Sequence, residues 1–140
     1  SKDYVFDVDR FTSFEGNTGP YVLYTIVRIK SILNKYQADG GNLAGLCVMP
    51  ADSDSEKALQ LEASKYNDVM AAAYEELAPH KICAYIYDLA NAFNIFYHEV
   101  KILAGEYAKK KQSYIALLLL VRCVLEECIE VLGFEAPERM

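Results

Sequence analysis

Apolar residues recur along the chain at intervals of three and four, a spacing that predicts helices rather than strands. Val22, Ile26, Ile29 and Leu33 form the first such stripe. Pro20 stands just ahead of it, with Thr18 or Gly19 as the expected cap, because proline is tolerated in a first helical turn. This helix is expected to reach Tyr36, and "ADGGNLAG" (Ala38 to Gly45) should end it, since adjacent glycines favour turns. After the polar loop "MPADSDSE", Ser53 and Glu56 carry capping-box spacing, so a helix should begin there, with Ala58, Leu59, Leu61 and Ala63 as its apolar side. Another start is expected near Asn67 or Asp68. Pro79 opens a further helix whose stripe reads Ile82, Ile86, Leu89, Phe93 and Phe96. "LAGEYAKKKQ" reads as a connection. A last helix should run from Gln112 to Leu132, with Leu117, Leu120, Val124 and Ile129 among its core residues and Gly133 as its stop.

Four or five helices, short loops and no convincing sheet predict an all-α fold, an antiparallel helical bundle. Residues 1–16 alternate weakly at Tyr4, Phe6 and Val8, which suits a short strand or an extended arm; "TSFE" (Thr12 to Glu15) spells a capping box and makes a helical turn the competing expectation. The division expected is an arm over 1–16 and a helical domain over 17–140.

Composition narrows the class. A chain of 140 residues, 53% of them apolar, has the size and the greasy content of one domain with a real core. Its longest apolar run, Ile115 to Val121, stops at Arg122, far short of a membrane span. The start, "SKDYVFDVDR", is polar, shows no secretory pattern and lacks an initiator Met. The chain is accordingly read as a piece of a longer cytoplasmic protein, or as a tag remnant followed by native sequence. A net charge of −6 argues against broad, non-specific nucleic-acid binding, which needs many Lys and Arg to neutralise phosphates. No membrane or DNA partner is expected, and RNA contact must use a local patch. Cys47, Cys83, Cys123 and Cys128 include no C-x-x-C pair; the last three fall in apolar helical patterns and are expected to be reduced, buried filler.

Most catalytic constellations are missing. No glycine-rich phosphate loop and no Ser/His/Asp arrangement can be assembled. His80 and His98 read as structural, and Glu126, Glu127 and Glu130 as a solvated face. A metal site built on Glu126, Glu130 and the histidines is a distant third reading. The run Lys109 to Lys111 is solvated by default, with steering of an RNA backbone as the alternative. Tyrosine carries the stronger signal: the chain has eleven and no tryptophan. Tyr4, Tyr66, Tyr74 and Tyr107 are expected to straddle the core boundary. Tyr24, however, shares a helical stripe with Arg28, Ser31 and Lys35. A ring beside cationic donors is what single-stranded bases require.

"FDVDRFTSFEGNTGPYVLYTIVRIKSIL" resembles the start of the C-terminal anticodon-binding (DALR-type) domain of arginyl-tRNA synthetase, whose pattern runs S-F-E-G-N-T-A/G-P-Y-x-Q-Y-x-x-x-R. "LAPHKICAYIYDLANAFNIFYHEVKIL" is similar to the same domain's central helix, and "GFEAPERM" to its ending in P-E-R-M. The three blocks stand in family order. The resemblance implies an all-α bundle appended to a class I catalytic domain, gripping the anticodon loop of arginine tRNA. Arginine codons all have G in the middle, so their anticodons share a C there, and one base pocket can serve every isoacceptor. By resemblance, Tyr24, Arg28, Tyr97 and Met140 approach the splayed bases. Lys101 stands where the family has an aromatic and offers a phosphate contact instead; Leu23 stands where the family often has Gln. The ATP-binding motifs of class I synthetases are absent, so the chain alone should be non-catalytic. No cofactor is expected in it; ATP and Mg belong to the catalytic domain of the same parent chain, which is its expected partner along with the tRNA. Stacking contributes about 1–3 kcal/mol per base, enough for a few bases to offset an unfavourable overall charge. The competing reading is a helical module that docks a protein through exposed tyrosines.

Overall fold

A computed structural model describes residues 18–104 and 107–133. The expectations for residues 1–16, for the "PERM" tail and for Met140 lie outside the described residues. Five helices follow one another among those described: α1 (Thr18–Ala38), α2 (Asp54–Ser64), α3 (Tyr66–Glu76), α4 (Pro79–Glu99) and α5 (Ala108–Val131).

The all-α expectation holds, and the apolar stripes explain how the helices pack. Val22, Ile26, Ile29 and Leu33 of α1 are at most 1% exposed, and Ile82, Ile86, Leu89, Phe93 and Phe96 of α4 at most 3%. α4 is the hub and packs against each of the other helices. Pro79 opens it, where a missing N–H leaves no helical bond unmade. The Tyr85 hydroxyl of α4 donates to the Glu62 carbonyl at 2.8 Å, joining the Lys65 N–H on one of the last carbonyls of α2. Burial pushes that phenol's pKa up and keeps it a donor.

Several expectations shift by a turn or less. α1 takes in Thr18 and Gly19 as helical residues, so neither is its cap; Pro20 still falls in the first turn. Gly40, at φ +96°, turns the chain just past α1. On α2, Ser53 accepts from the Glu56 N–H at 3.2 Å, while the Glu56 carboxylate reaches the Asp52 N–H rather than that of Ser53. Leu59 and Ala63, one turn apart, are buried; Ala58 and Leu61 rotate off that line into solvent. α5 starts at Ala108, so the lysine run belongs to its first turn and not to a connection. Its buried face centres on Val121, Leu125 and Cys128, which leaves Leu120 at the margin, 45% exposed, and turns Cys123 outward. Cys47 is likewise exposed. Cys128 does behave as filler: burial lifts its thiol to about 12.

Two charged groups expected in solvent are structural. Lys110 points inward, to the Glu56 carboxylate at 2.9 Å, the Pro50 carbonyl at 3.2 Å and Asp52 at 3.5 Å. This knot ties the start of α5 to the start of α2 and to the loop before it. Glu126 is half-buried and pairs with Arg122 at 3.3 Å and with the buried Lys30 of α1 at 3.4 Å. A helix-to-helix strut has replaced the expected solvated face there. Among the described residues, no group of His, Cys, Asp and Glu is placed to hold a metal ion, and no helix is long and apolar enough to cross a membrane.

The bend from α3 to α4 carries local strain. Leu77 adopts a left-handed conformation (φ 51°) so that the Ala78 N–H can reach the Ala73 carbonyl at 2.9 Å. Its side chain is 87% exposed and gains little from packing. Leu77→Gly is therefore expected to raise stability by about 1 kcal/mol, read as a higher urea midpoint with unchanged slope.

Candidate nucleic-acid interface

α1 and α4 meet along a seam whose contacts climb in the same sense on both helices. Tyr21 leans on Tyr87, ring centroids 5.6 Å apart, and donates to Asn91 at 3.3 Å. A turn further on, Thr25 and Arg28 meet Asn94, and Arg28 reaches Tyr97. Spacings of four and three put Tyr21, Thr25 and Arg28 along one ridge of α1, facing α4, with Tyr24 beside it at the open edge.

Arg28 is the centre of this seam. Its guanidinium carbon lies 4.1 Å from the Tyr97 ring centroid and 4.9 Å from that of Tyr24. One terminal nitrogen donates to Asn94 Oδ1 at 2.8 Å, the other to the Tyr24 hydroxyl at 2.7 Å. A cation over an aromatic ring contributes about 0.5–2 kcal/mol, so the arrangement holds without a ligand. Arginine has more N–H groups than these two bonds use, so donors remain for an incoming acceptor. Tyr24 is 46% exposed and Tyr97 half-buried. The seam thus offers aromatic surface and oriented cationic donors side by side.

Of the residues expected to form a site, Tyr24, Arg28 and Tyr97 come together. The sequence places Tyr24 and Arg28 on an open polar stripe; the structure turns Arg28 partly inward onto α4 because Asn94 and Tyr97 present an acceptor and a ring there. Lys101 is exposed, one turn past Tyr97 and just beyond the end of α4. Ser31 and Lys35 are exposed and continue the α1 stripe away from Arg28. Leu23 packs against the core. The sequence reading missed Asn94, Tyr21, Tyr87 and Asn91. A signal for Asn94 was present: it follows Ala90 by one turn on the buried side of α4, where a polar group has to find a partner.

The fold is that of a small all-helical module, and comparison with known proteins makes its class definite. A model of the DALR anticodon binding domain matches residues 22–140, and the chain belongs to that family. Its relatives include the arginine–tRNA ligase of Agathobacter rectalis, 63% identical over 142 residues, and that of Alkaliphilus oremlandii, 53% identical over 140. All of this chain is covered in both cases, but it spans only 24% of either relative, about a quarter of their length. Among solved structures, Thermus thermophilus arginyl-tRNA synthetase superposes with a TM-score of 0.77 at 30% identity, covering 91% of this chain and 22% of that one.

Proposed function

We propose that the α1–α4 seam receives unpaired anticodon bases of arginine tRNA, and that the chain positions this tRNA for ATP-dependent arginylation by a catalytic domain elsewhere in a longer cytoplasmic protein. The observation that carries the reading is Arg28 held between Tyr24 and Tyr97 with the Tyr24 ring open to solvent. Membership of an anticodon-binding family supports it, as does the similarity to arginine–tRNA ligases. In this reading Tyr24 stacks on a base, Arg28 donates to its edge or its phosphate, and Tyr97 backs the guanidinium. Lys101, Lys35 and Ser31 lie where flanking phosphates would pass. Met140 completes the set by resemblance. ATP and Mg would bind in the catalytic domain and not here.

The test is a calorimetric titration with an arginine anticodon stem-loop. Tyr24→Ala is expected to weaken binding by about 1–3 kcal/mol, one stacked base, with thermal stability little changed. Wild-type affinity in that variant would remove Tyr24 from the site. A protein-docking reading has its own observation: Tyr74, Leu77 and Pro79 bare an apolar patch over Ile82 and Val131, toward the opposite end of α4 from Tyr97. A partner seated there would not compete with the stem-loop.

A further inference from the structure

The Asn94 amide is 7% exposed and its orientation is forced by its neighbours. Arg28 has no acceptor to offer, so the atom facing it must be the oxygen. The Ala90 carbonyl has no donor to offer, so the atom facing it, at 3.0 Å, must be the nitrogen. The same nitrogen lies 2.9 Å from Thr25 Oγ1 and 3.1 Å from the Tyr21 hydroxyl. Both acceptors are themselves committed. Thr25 donates to the Tyr21 carbonyl at 2.8 Å, and the Tyr21 hydroxyl donates to Asn91. The amide is therefore tied into α1 and α4 through its nitrogen, and its oxygen is left as a fixed acceptor aimed at one guanidinium nitrogen.

We infer that Asn94 is the positioning residue of the seam, holding Arg28 over the Tyr97 ring before any RNA arrives. Four torsions separate an arginine head group from its backbone, and immobilising such a side chain on binding costs about 0.5–1.5 kcal/mol. Asn94 removes that cost in advance and fixes the plane of the guanidinium. The plane matters because a bidentate donor discriminates acceptors by geometry. The inference rests on the proposed anticodon reading for its consequence, but the immobilisation of Arg28 is a property of the free protein and can be measured alone.

The experiment compares wild type, Asn94→Leu and Asn94→Asp, with and without Arg28→Ala. The first readout is the set of Arg28 guanidinium 15N–1H signals in the RNA-free protein near neutral pH. They should be resolved in wild type, lost to water exchange in Asn94→Leu, and kept in Asn94→Asp, whose carboxylate retains the acceptor. The second readout is stem-loop affinity. Asn94→Leu should bind at least tenfold more weakly, Asn94→Asp within threefold of wild type, and Asn94→Leu should add less than twofold on top of Arg28→Ala. A residue that served only folding would lower affinity equally in both backgrounds. Should Asn94→Leu fail to fold, Asn94→Ala takes its place: loss of the Arg28 signals in that variant supports the clamp and their retention overturns it. Unchanged Arg28 signals in a folded Asn94→Leu, or a full additive loss in the double variant, also overturn it. If wild type binds no stem-loop, the anticodon reading fails, and the guanidinium signals still decide whether Asn94 holds Arg28.

Discussion

Replacing Lys110 by methionine is expected to cost the fold about 3–5 kcal/mol, the penalty for stranding one member of a buried ion pair. The stranded group is Glu56, whose side chain is 1% exposed and whose remaining bonds come from the Asp52 N–H and the Gln60 amide. Urea unfolding at pH 7 measures the loss, and the double variant Glu56→Gln/Lys110→Met should recover most of it, because no uncompensated charge is left behind. The same pair sets a pH dependence. Burial lowers the Lys110 pKa, but the Glu56 hydrogen bond and charge, with Asp52, raise it by more, so the net shift is above the ordinary 10.5. A raised lysine contributes stability in full below the unfolded amine's 10.5 and loses it as pH climbs through the higher folded value. The stability difference between wild type and the double variant should therefore be flat near neutrality and shrink only in strong alkali.

Arg28→Ala is expected to weaken stem-loop binding by about 10–100-fold, the range of a lost charged hydrogen bond or pair of them. It removes the cation that Tyr24 and Tyr97 both face and leaves Asn94 Oδ1 without its donor. Arg28→Lys should rescue little of this. An ammonium keeps the charge but has neither a flat face for Tyr97 nor a fork that can reach Asn94, Tyr24 and a ligand together. If Arg28→Lys binds like wild type, charge alone suffices and the geometry described for the seam is irrelevant to binding.

The stripes of α1 and α4 could be read from the sequence because burial on one face of a helix imposes a period. Pro79, Ser53 and Gly133 were readable for a related reason, since each answers a local backbone demand that spacing reveals. Lys110 was not readable. Three consecutive lysines point in three directions around a helix, and nothing local says which of them meets a buried carboxylate from α2, 54 residues away in sequence. Glu126 hid in the same way, its partner Lys30 lying on α1. Leu120, Leu61 and Cys123 read as inward in the sequence because apolar residues outnumber buried positions, and the margin of a stripe depends on where the neighbouring helix lies. For the seam, one helix's contribution was legible in Tyr24 and Arg28. What α4 supplies opposite them, Asn94 above all, depends on how two helices are set side by side.

That setting gives the seam the form that the proposed function needs. Tyr24 and Arg28 alone would be an ordinary surface pair; Tyr97 and Asn94 turn them into a preformed plane with free donors. The acidic balance of the chain, at −6, is compatible with this because stacking and directed hydrogen bonds, rather than a field of lysines, would hold the bases.

The most direct measurement is the chemical-shift footprint of an arginine anticodon stem-loop on the wild-type protein. The largest shifts are expected at Tyr24, Arg28, Asn94 and Tyr97, with smaller ones at Lys101 and along Ser31 to Lys35. A footprint centred on Tyr74 and Leu77, or one that leaves the α1–α4 seam unmoved at saturating RNA, would contradict it.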